Sequence, residues 1–444
     1  MTELALAAHR SPELRLPRLL AGISYYDIAR LPDHEERYGP LPLWGTSGRR
    51  RPGRLLDVVD ASGLTGRGGG GFPTGRKMRS VASGPGGAVV VANGAEGEPA
   101  SCKDRLLLTR LPHLVLDGIT LAAHAVRART AYLCIHGQEV ELLAALEDAL
   151  AQRRAVDLDP VPIQLRGIPG RYVASEQSAI VQYLNGGPAK PTFAPPRPHQ
   201  RGVRGRPTLV HNVETLAHLA LIARYGDRWF RSAGLPSAPG SALVTVSGAV
   251  RRPGVYEIEL GTPAGQVVTM AGGPAERPTA LLIGGFFGAW LPARSAWPVP
   301  MCHAALKAAG GAMGAGIVVV LPESSCGLAE TARVIRYLAD ENAGQCGPCM
   351  FGLPAIAGDL SQLAAGRPEG DPLGRMQRRF GQISGRGACR HPDGAVRMAA
   401  SALTAFAADA HAHARRRTCL ASHRGHPPGA TVAMVPSWRD GDWR

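Results

Sequence analysis

Between residues 66 and 77 the chain reads Gly66-Arg67-Gly68-Gly69-Gly70-Gly71-Phe72-Pro73-Thr74-Gly75-Arg76-Lys77, with five glycines in the first six positions. A backbone without Cβ atoms reaches conformations closed to other residues and lets a ligand approach closely. Its amides can converge on an anion, to which Arg67 and Lys77 add charge. A flexible linker would need neither the rigid Phe72-Pro73 nor the lysine. Lysine is scarce: Lys77, Lys103, Lys190 and Lys307 are the four among 50 basic residues, and two of them lie in this loop and the next motif. The loop points to a phosphate-bearing ligand.

The surrounding sequence sets the fold class. A helix from 55 to 64 leads into the loop, and Ala88-Val89-Val90-Val91-Ala92, a short apolar run bounded by glycines, reads as a buried strand. It ends in Asn93-Gly94-Ala95-Glu96-Gly97-Glu98-Pro99, at the carboxyl end where open α/β sheets bind ligands. A helix over 106–127, a strand over 130–135 and an amphipathic helix over 139–153, with Leu142, Leu143, Leu146 and Leu150 at helical spacing, follow. This alternation predicts α/β architecture with a mostly parallel sheet. His211-Asn212 opens a further helix, which either residue can cap. After an Ala/Pro/Gly/Ser-rich boundary near 232–241, a hairpin over 242–256, a helix over 261–272 and a strand over 316–321 predict a small α+β module. Helices over 328–341, 354–365, 372–383 and 394–415 then predict a four-helix bundle. Residues 1–50 read as an irregular lead-in and 416–444 as a disordered tail.

At 444 residues the chain is long enough for two or three domains. Its net charge of +15 comes from arginines spread along the chain, without aromatic interleaving or a DNA-binding motif. That argues against nucleic acid and for steering an acidic protein such as a ferredoxin. No apolar run reaches the length of a membrane span, and residues 1–30 lack a secretion signal, so a cytoplasmic location is expected. Eight cysteines in such a chain are not a disulfide framework. Cys102, Cys134, Cys302, Cys326 and Cys419 stand alone and read as small core residues or incidental thiols. Cys346 and Cys349 form a Cys-x-x-Cys between the first and second bundle helices, and Cys389 falls between the third and fourth. In an up-and-down bundle those loops share one end, so the three thiols can meet. An iron–sulfur centre, a redox dithiol, a zinc site completed by His391 and inert thiols are all open on the residues alone. The dithiol reading lacks the buried strand that should precede it.

Taken together, the glycine loop, the Glu-x-Glu-Pro loop and the late cysteines resemble the FMN-binding flavoprotein subunit of respiratory complex I and the diaphorase subunits of NAD-linked hydrogenases and formate dehydrogenases. The resemblance covers roughly residues 55–410. It implies a Rossmann-like FMN domain over 51–235, a ubiquitin-like β-grasp domain over 240–325 and an iron–sulfur-binding helical bundle over 326–415. The β-grasp signature is matched by Ser247-Gly248-Ala249-Val250-Arg251-Arg252-Pro253-Gly254-Val255-Tyr256. A flavin converts the two-electron currency of hydride into the single electrons that clusters carry. Residue by residue, the resemblance implies FMN contacts from Gly66, Gly68, Lys77, Asn93, Glu96, Tyr172, Glu176, Asn212 and Thr215. It implies NAD(P)H contacts from Phe72, against the adenine, and Glu98, on the ribose. Cys346, Cys349 and Cys389 would hold the cluster.

Two departures stand out. Where the family reads Ser-Cys-Gly-Lys-Cys-Thr-Pro-Cys, this chain reads Asn342-Ala343-Gly344-Gln345-Cys346-Gly347-Pro348-Cys349. Ala343 takes the place of one ligand and leaves three thiolates for a centre that ordinarily takes four. A [4Fe-4S] cluster with a non-cysteine ligand from Glu341, Asn342 or His391, a [3Fe-4S] centre, and no cluster are the alternatives. In the nucleotide pocket, Ala95 replaces an aspartate, Gln177 the second glutamate of a pair, and Arg197 a phenylalanine. The more positive pocket suits NADPH or a site without hydride transfer. The expected activity is that of an FMN-dependent NAD(P)H dehydrogenase feeding an iron–sulfur centre and a ferredoxin-like acceptor. The competing expectation is a non-catalytic scaffold paralogue.

Overall fold

A computed structural model describes residues 16–21, 23, 29–43, 52–415 and 421. The expected disordered tail lies outside the described residues apart from residue 421. The lead-in, expected to be irregular, contains helix α1 (Leu31–Tyr38).

The first sheet is built from β1 (Ala88–Asn93), β2 (Ala128–His136), β3 (Ile163–Ile168) and β4 (Thr208–Asn212), ordered β3-β2-β1-β4 and parallel throughout. Around it lie α2 (Pro52–Ser62), α3 (Thr74–Ala82), α4 (Lys103–Arg110), α5 (Pro112–Ala125), α6 (Val140–Ala155), α7 (Gln177–Leu184) and α8 (Val213–Arg231). The apolar run of β1 is explained by burial on both faces. Val90 and Ala92 join the core that holds α5 and α8, while Val89 and Val91 pack with Ile180 and Val181 of α7. Each such valine contributes about 1.5–3 kcal/mol by leaving water. Helices α5 and α8 touch backbone to backbone at Gly118, where an added Cβ would lie 2.1 Å from the Leu216 carbonyl oxygen.

The helix expected over 106–127 is two helices, α4 and α5, whose axes bend by 96°. Pro112 at the start of α5 disfavours helical backbone at Leu111 and ends α4 there. Strands β3 and β4 were not foreseen. β3 alternates buried and polar residues at the sheet edge, and β4 runs into α8 without a loop, so its signal merges with the helix.

A ribbon of β5 (Gly234–Leu235) and β6 (Ala238–Pro239) leads to the second sheet, of β7 (Ser241–Gly248), β8 (Gly254–Glu259), β9 (Pro278–Ile283), β10 (Ala289–Pro292) and β11 (Ile317–Pro322). Its order is β10-β9-β11-β7-β8, parallel only between β11 and β7. Helices α9 (Ala264–Met270), α10 (Ala293–Ala296) and α11 (His303–Ala308) connect it. Val318 and Val320 face α9, whereas Ile317, Val319 and Leu321 face the C-terminal helices.

Those helices are α12 (Gly327–Asp340), α13 (Leu353–Ala364), α14 (Pro372–Ile383), α15 (His391–Ala405) and α16 (Ala407–Ala414), with a π-turn at Pro348–Gly352 before α13. The last expected helix begins earlier and breaks at Phe406, whose ring turns against Trp290 at 5.6 Å between centroids. No single helix among the described residues is long and apolar enough to cross a membrane.

Candidate active site

Adjacent parallel strands β1 and β4 end at the same level, with Asn93 opposite Asn212. This register brings the 93–99 loop and the N-terminus of α8 side by side, and the glycine loop lies across them. Asn212 is the cap of α8: its Oδ1 accepts from the Glu214 amide at 3.1 Å. The same oxygen accepts from Lys103 Nζ at 3.1 Å, while Nδ2 donates to Asp104 at 2.6 Å. Capping and site geometry are therefore served by one side chain. Gly68 rests on it, since a Cβ there would come within 3.2 Å of Asn212 Cβ. At Gly70 an added Cβ would meet nothing within 4 Å, so the loop is open to the cleft on that side.

Below the loop is a buried charge network. Lys103 pairs with Asp104 at 2.6 Å and with Glu214 at 2.9 Å. Burial alone would raise the Glu214 carboxyl, but Lys103, His218 and Arg67 pull it down to about 2. Arg67 belongs to this network and does not add charge to the cleft, a correction to the sequence expectation. Its guanidinium donates to Thr65 at 3.1 and 2.7 Å and to the Ser241 carbonyl at 3.0 Å, tying the loop to the second sheet. Its amide donates to the Oγ1 of the fully buried Thr215 at 2.9 Å, which ties the loop to α8.

Lys77 is a cation of the cleft that this network does not take up. Its Nζ donates to the Val210 carbonyl at 2.6 Å and to Gln177 Oε1 at 3.4 Å. Burial lowers its pKa to about 8, against the opposing pull of Glu176. Asn93 donates to the Ser175 carbonyl at 2.8 Å. Glu176 caps α7, accepting from the Ser178 and Ala179 amides at 2.8 and 3.3 Å. Glu96 turns inward to cap α4, accepting from the Asp104 and Arg105 amides at 3.2 and 3.1 Å and from the Ser101 hydroxyl. Burial, then the neighbouring Asp104 charge, pushes its carboxyl up to about 7.

Glu98 and Phe72 line the outer side. Glu98 Oε2 accepts from the Tyr172 hydroxyl at 3.0 Å and the Phe286 amide at 2.9 Å, while Oε1 has no partner and no exposed surface. Burial pushes this carboxyl up to about 7. Phe72 is 48% exposed, with the Arg76 guanidinium 5.8 Å from its ring centroid. An open glycine loop, the Lys77 ammonium, the orphaned Oε1 of Glu98 and the exposed Phe72 ring fit a flavin phosphate and a stacked dinucleotide.

Tyr172 joins this cleft to the C-terminal helices. Its hydroxyl reaches Glu98, and its ring makes edge contacts with Phe287 at 5.0 Å, Tyr337 at 6.0 Å and His391 at 5.7 Å. Of the three expected thiols, Cys346 and Cys389 are near enough to Cys349 to act on its ionisation. Burial raises the Cys349 thiol, and the nearby Cys346 and Cys389 sulfurs raise it further. Among the described residues, no three His, Cys, Asp or Glu side chains are arranged around a single metal ion. That counts against one zinc ion. A redox dithiol lacks the buried strand that should precede it, since helix α12 stands there instead. Of the positions weighed as a fourth ligand, Glu341 is committed to Arg171 Nε at 3.0 Å and the Tyr172 amide at 2.9 Å. Sequence reasoning missed the Lys103–Asp104–Glu214 network and the Arg171–Glu341 pair. The scarcity of lysine marked Lys103, but nothing in the sequence marked the pair.

Three family models match the chain in order. They are the Nuo51 FMN-binding domain over residues 59–221, the SLBB domain over 243–285 and the NADH-ubiquinone oxidoreductase-F iron-sulfur binding region over 329–413. The second NADH-quinone oxidoreductase F subunit of Rhizobium meliloti is 33% identical over 416 residues, 91% of this chain and 99% of the relative. The corresponding F subunit of Streptomyces coelicolor is 32% identical over 388 residues, 83% of this chain and 84% of the relative. Among solved structures, a chain of an air-oxidised NAD+-reducing [NiFe]-hydrogenase superposes with a TM-score of 0.80 and 30% identity. That match covers 96% of this chain and 69% of the other.

Proposed function

The chain belongs to the family of NADH-quinone oxidoreductase F subunits, and from that premise we propose the following path for its electrons. Phe72 and Glu98 would bind a nicotinamide dinucleotide, and the glycine loop, Asn93 and Asn212 would hold the FMN that accepts its hydride. Cys346, Cys349 and Cys389 would hold an iron–sulfur centre able to carry the electrons on to a ferredoxin-like or other iron–sulfur protein of the same complex. FMN, when bound, takes the hydride pair and releases the electrons singly.

The protein's part is to bind and orient. Lys77 and the glycine loop hold the phosphate, with Thr215 and Arg67 fixing the loop from below. Asn212, keyed into Lys103 and Asp104, sets one wall of the flavin site. The unpaired Glu98 Oε1 would accept from a ribose hydroxyl once the dinucleotide displaces the side chains that cover it. We divide the chain into an FMN domain over 51–235, a β-grasp module over 240–325 and the iron–sulfur helices over 326–415. The antiparallel, parallel and helical elements described above support that division.

One observation carries the reading: Tyr172 spans the distance between the two halves. Its hydroxyl is on Glu98 in the nucleotide cleft, and its ring is against His391, two residues beyond Cys389. A non-catalytic scaffold has no need for this continuity, nor for the glycine loop with Lys77. Anaerobic titration of the flavin-loaded protein with NADH and NADPH tests the proposal. Bleaching of the flavin band by either is expected, and no bleaching by both refutes hydride transfer.

A further inference from the structure

We propose that His391, through Nδ1, is the fourth protein ligand of the iron–sulfur centre that Cys346, Cys349 and Cys389 begin; the inference rests on the electron-transfer reading above. The centre is one thiolate short because Ala343, buried at 6% exposure, carries no donor atom. Of the three side chains weighed for the vacant position, two are already occupied, and the Glu176 and Asp393 carboxylates near Cys389 cap α7 and bind Gly385 and Arg390 respectively. Glu341 is held by Arg171 and the Tyr172 amide. Asn342 folds back on its own helix end, donating to the Ala339 carbonyl at 2.5 Å and accepting from the Gly344 amide at 2.8 Å.

His391 differs from both. Its Nε2 lies 2.7 Å from the Leu338 carbonyl oxygen, which can only accept, so Nε2 carries the proton and Nδ1 presents a bare lone pair. That Nδ1 has no partner, in a side chain only 2% exposed. A buried acceptor left unpaired is costly, and coordination to iron removes the cost. Donation of the far ring N–H to a backbone carbonyl is also how protein imidazoles are prepared to bind metals, since it fixes the tautomer and makes the other nitrogen more basic. The backbone of His391 is anchored at the thiols as well. The His391 amide donates to the Cys389 sulfur, so ligand and histidine share one turn at the start of α15. Contacts with Tyr172 at 5.7 Å and Phe287 at 5.5 Å limit rotation of the ring. Exchange of a thiolate for a neutral imidazole removes negative charge from the centre and raises its reduction potential, as in Rieske proteins.

The test is pulsed electron paramagnetic resonance on the full chain, prepared without oxygen, reduced, and labelled with histidine carrying 15N in the ring alone. Ring labelling separates a coordinating imidazole from the backbone amide at Cys389. A strongly coupled ring nitrogen is expected, and it should disappear in Ala343→Cys, which restores the thiolate. His391→Leu should convert the oxidised centre to a [3Fe-4S] signal, although the wild-type spectrum decides even if this variant does not fold. A paramagnetic centre without ring-nitrogen coupling overturns the ligand assignment and leaves the electron-transfer reading standing. Flavin-loaded protein without iron overturns both.

Discussion

Replacing Lys77 with methionine removes an ammonium but keeps most of the side chain's bulk, so it isolates the charge. In the ligand-free protein Lys77 Nζ has the Val210 carbonyl at 2.6 Å, and burial holds its pKa at about 8. A charge-assisted hydrogen bond to a phosphate is worth about 1.5–3 kcal/mol, so FMN affinity should fall about 10- to 150-fold. Riboflavin has no phosphate and should bind the variant as it binds the wild type. The sign of the pH dependence follows from the lowered pKa. The lysine is charged below about 8 and binds phosphate fully there. Above that value deprotonation competes, so the preference for FMN over riboflavin should decline by up to about tenfold per pH unit. Lys77→Met should show a lower preference without this decline. Fluorescence titration of the apoprotein with each flavin measures both. Equal losses for FMN and riboflavin would refute the argument, because they would mean a damaged loop rather than a missing charge.

Arg67→Met should behave in the opposite way. With the loop no longer tied to Thr65 and Ser241, both flavins should weaken together, and an FMN-selective loss would return Arg67 to the cleft. Glu98→Gln should raise the KM for the dinucleotide about 5- to 13-fold with flavin content unchanged, because a charged acceptor for ribose becomes a neutral one. Since burial places this carboxyl at about 7, wild-type kcat/KM should rise as pH passes through that value, and a profile identical in the variant would contradict the role. Gly118→Ala should destabilise the chain by about 3 kcal/mol or more in urea, beyond ordinary overpacking, because the Cβ would strike the Leu216 backbone oxygen at 2.1 Å. An unchanged midpoint would mean that α5 and α8 have room to part.

How much of this was legible in the sequence depended on whether the signal was local. The β1 run shows its double burial directly in Val89, Val90 and Val91, and the leucines of α6 mark their own face. Strands β3 and β4 were hidden for different reasons. The first carries Gln164 and Arg166 at an edge, and the second passes into a helix without punctuation. Asn212 could be read as a cap, but its second engagement with Lys103 and Asp104 depends on residues more than a hundred positions away. The direction of Arg67 was illegible for the same reason. A charge in a glycine loop looks available until tertiary contacts with Ser241 and Glu214 use it. The missing ligand at Ala343 was plain from spacing, whereas the state of each replacement candidate became visible only through its hydrogen-bond partners.

The central claim is that one chain joins a dinucleotide-reducible flavin to an iron centre. Stopped-flow spectroscopy of anaerobically purified protein, with FMN and iron determined on the same sample, tests it most directly. Mixing with NADH or NADPH should bleach the flavin band, followed by loss of the broad iron–sulfur absorbance in protein with more iron than flavin. Flavin that is bleached while an intact centre stays oxidised would contradict the account.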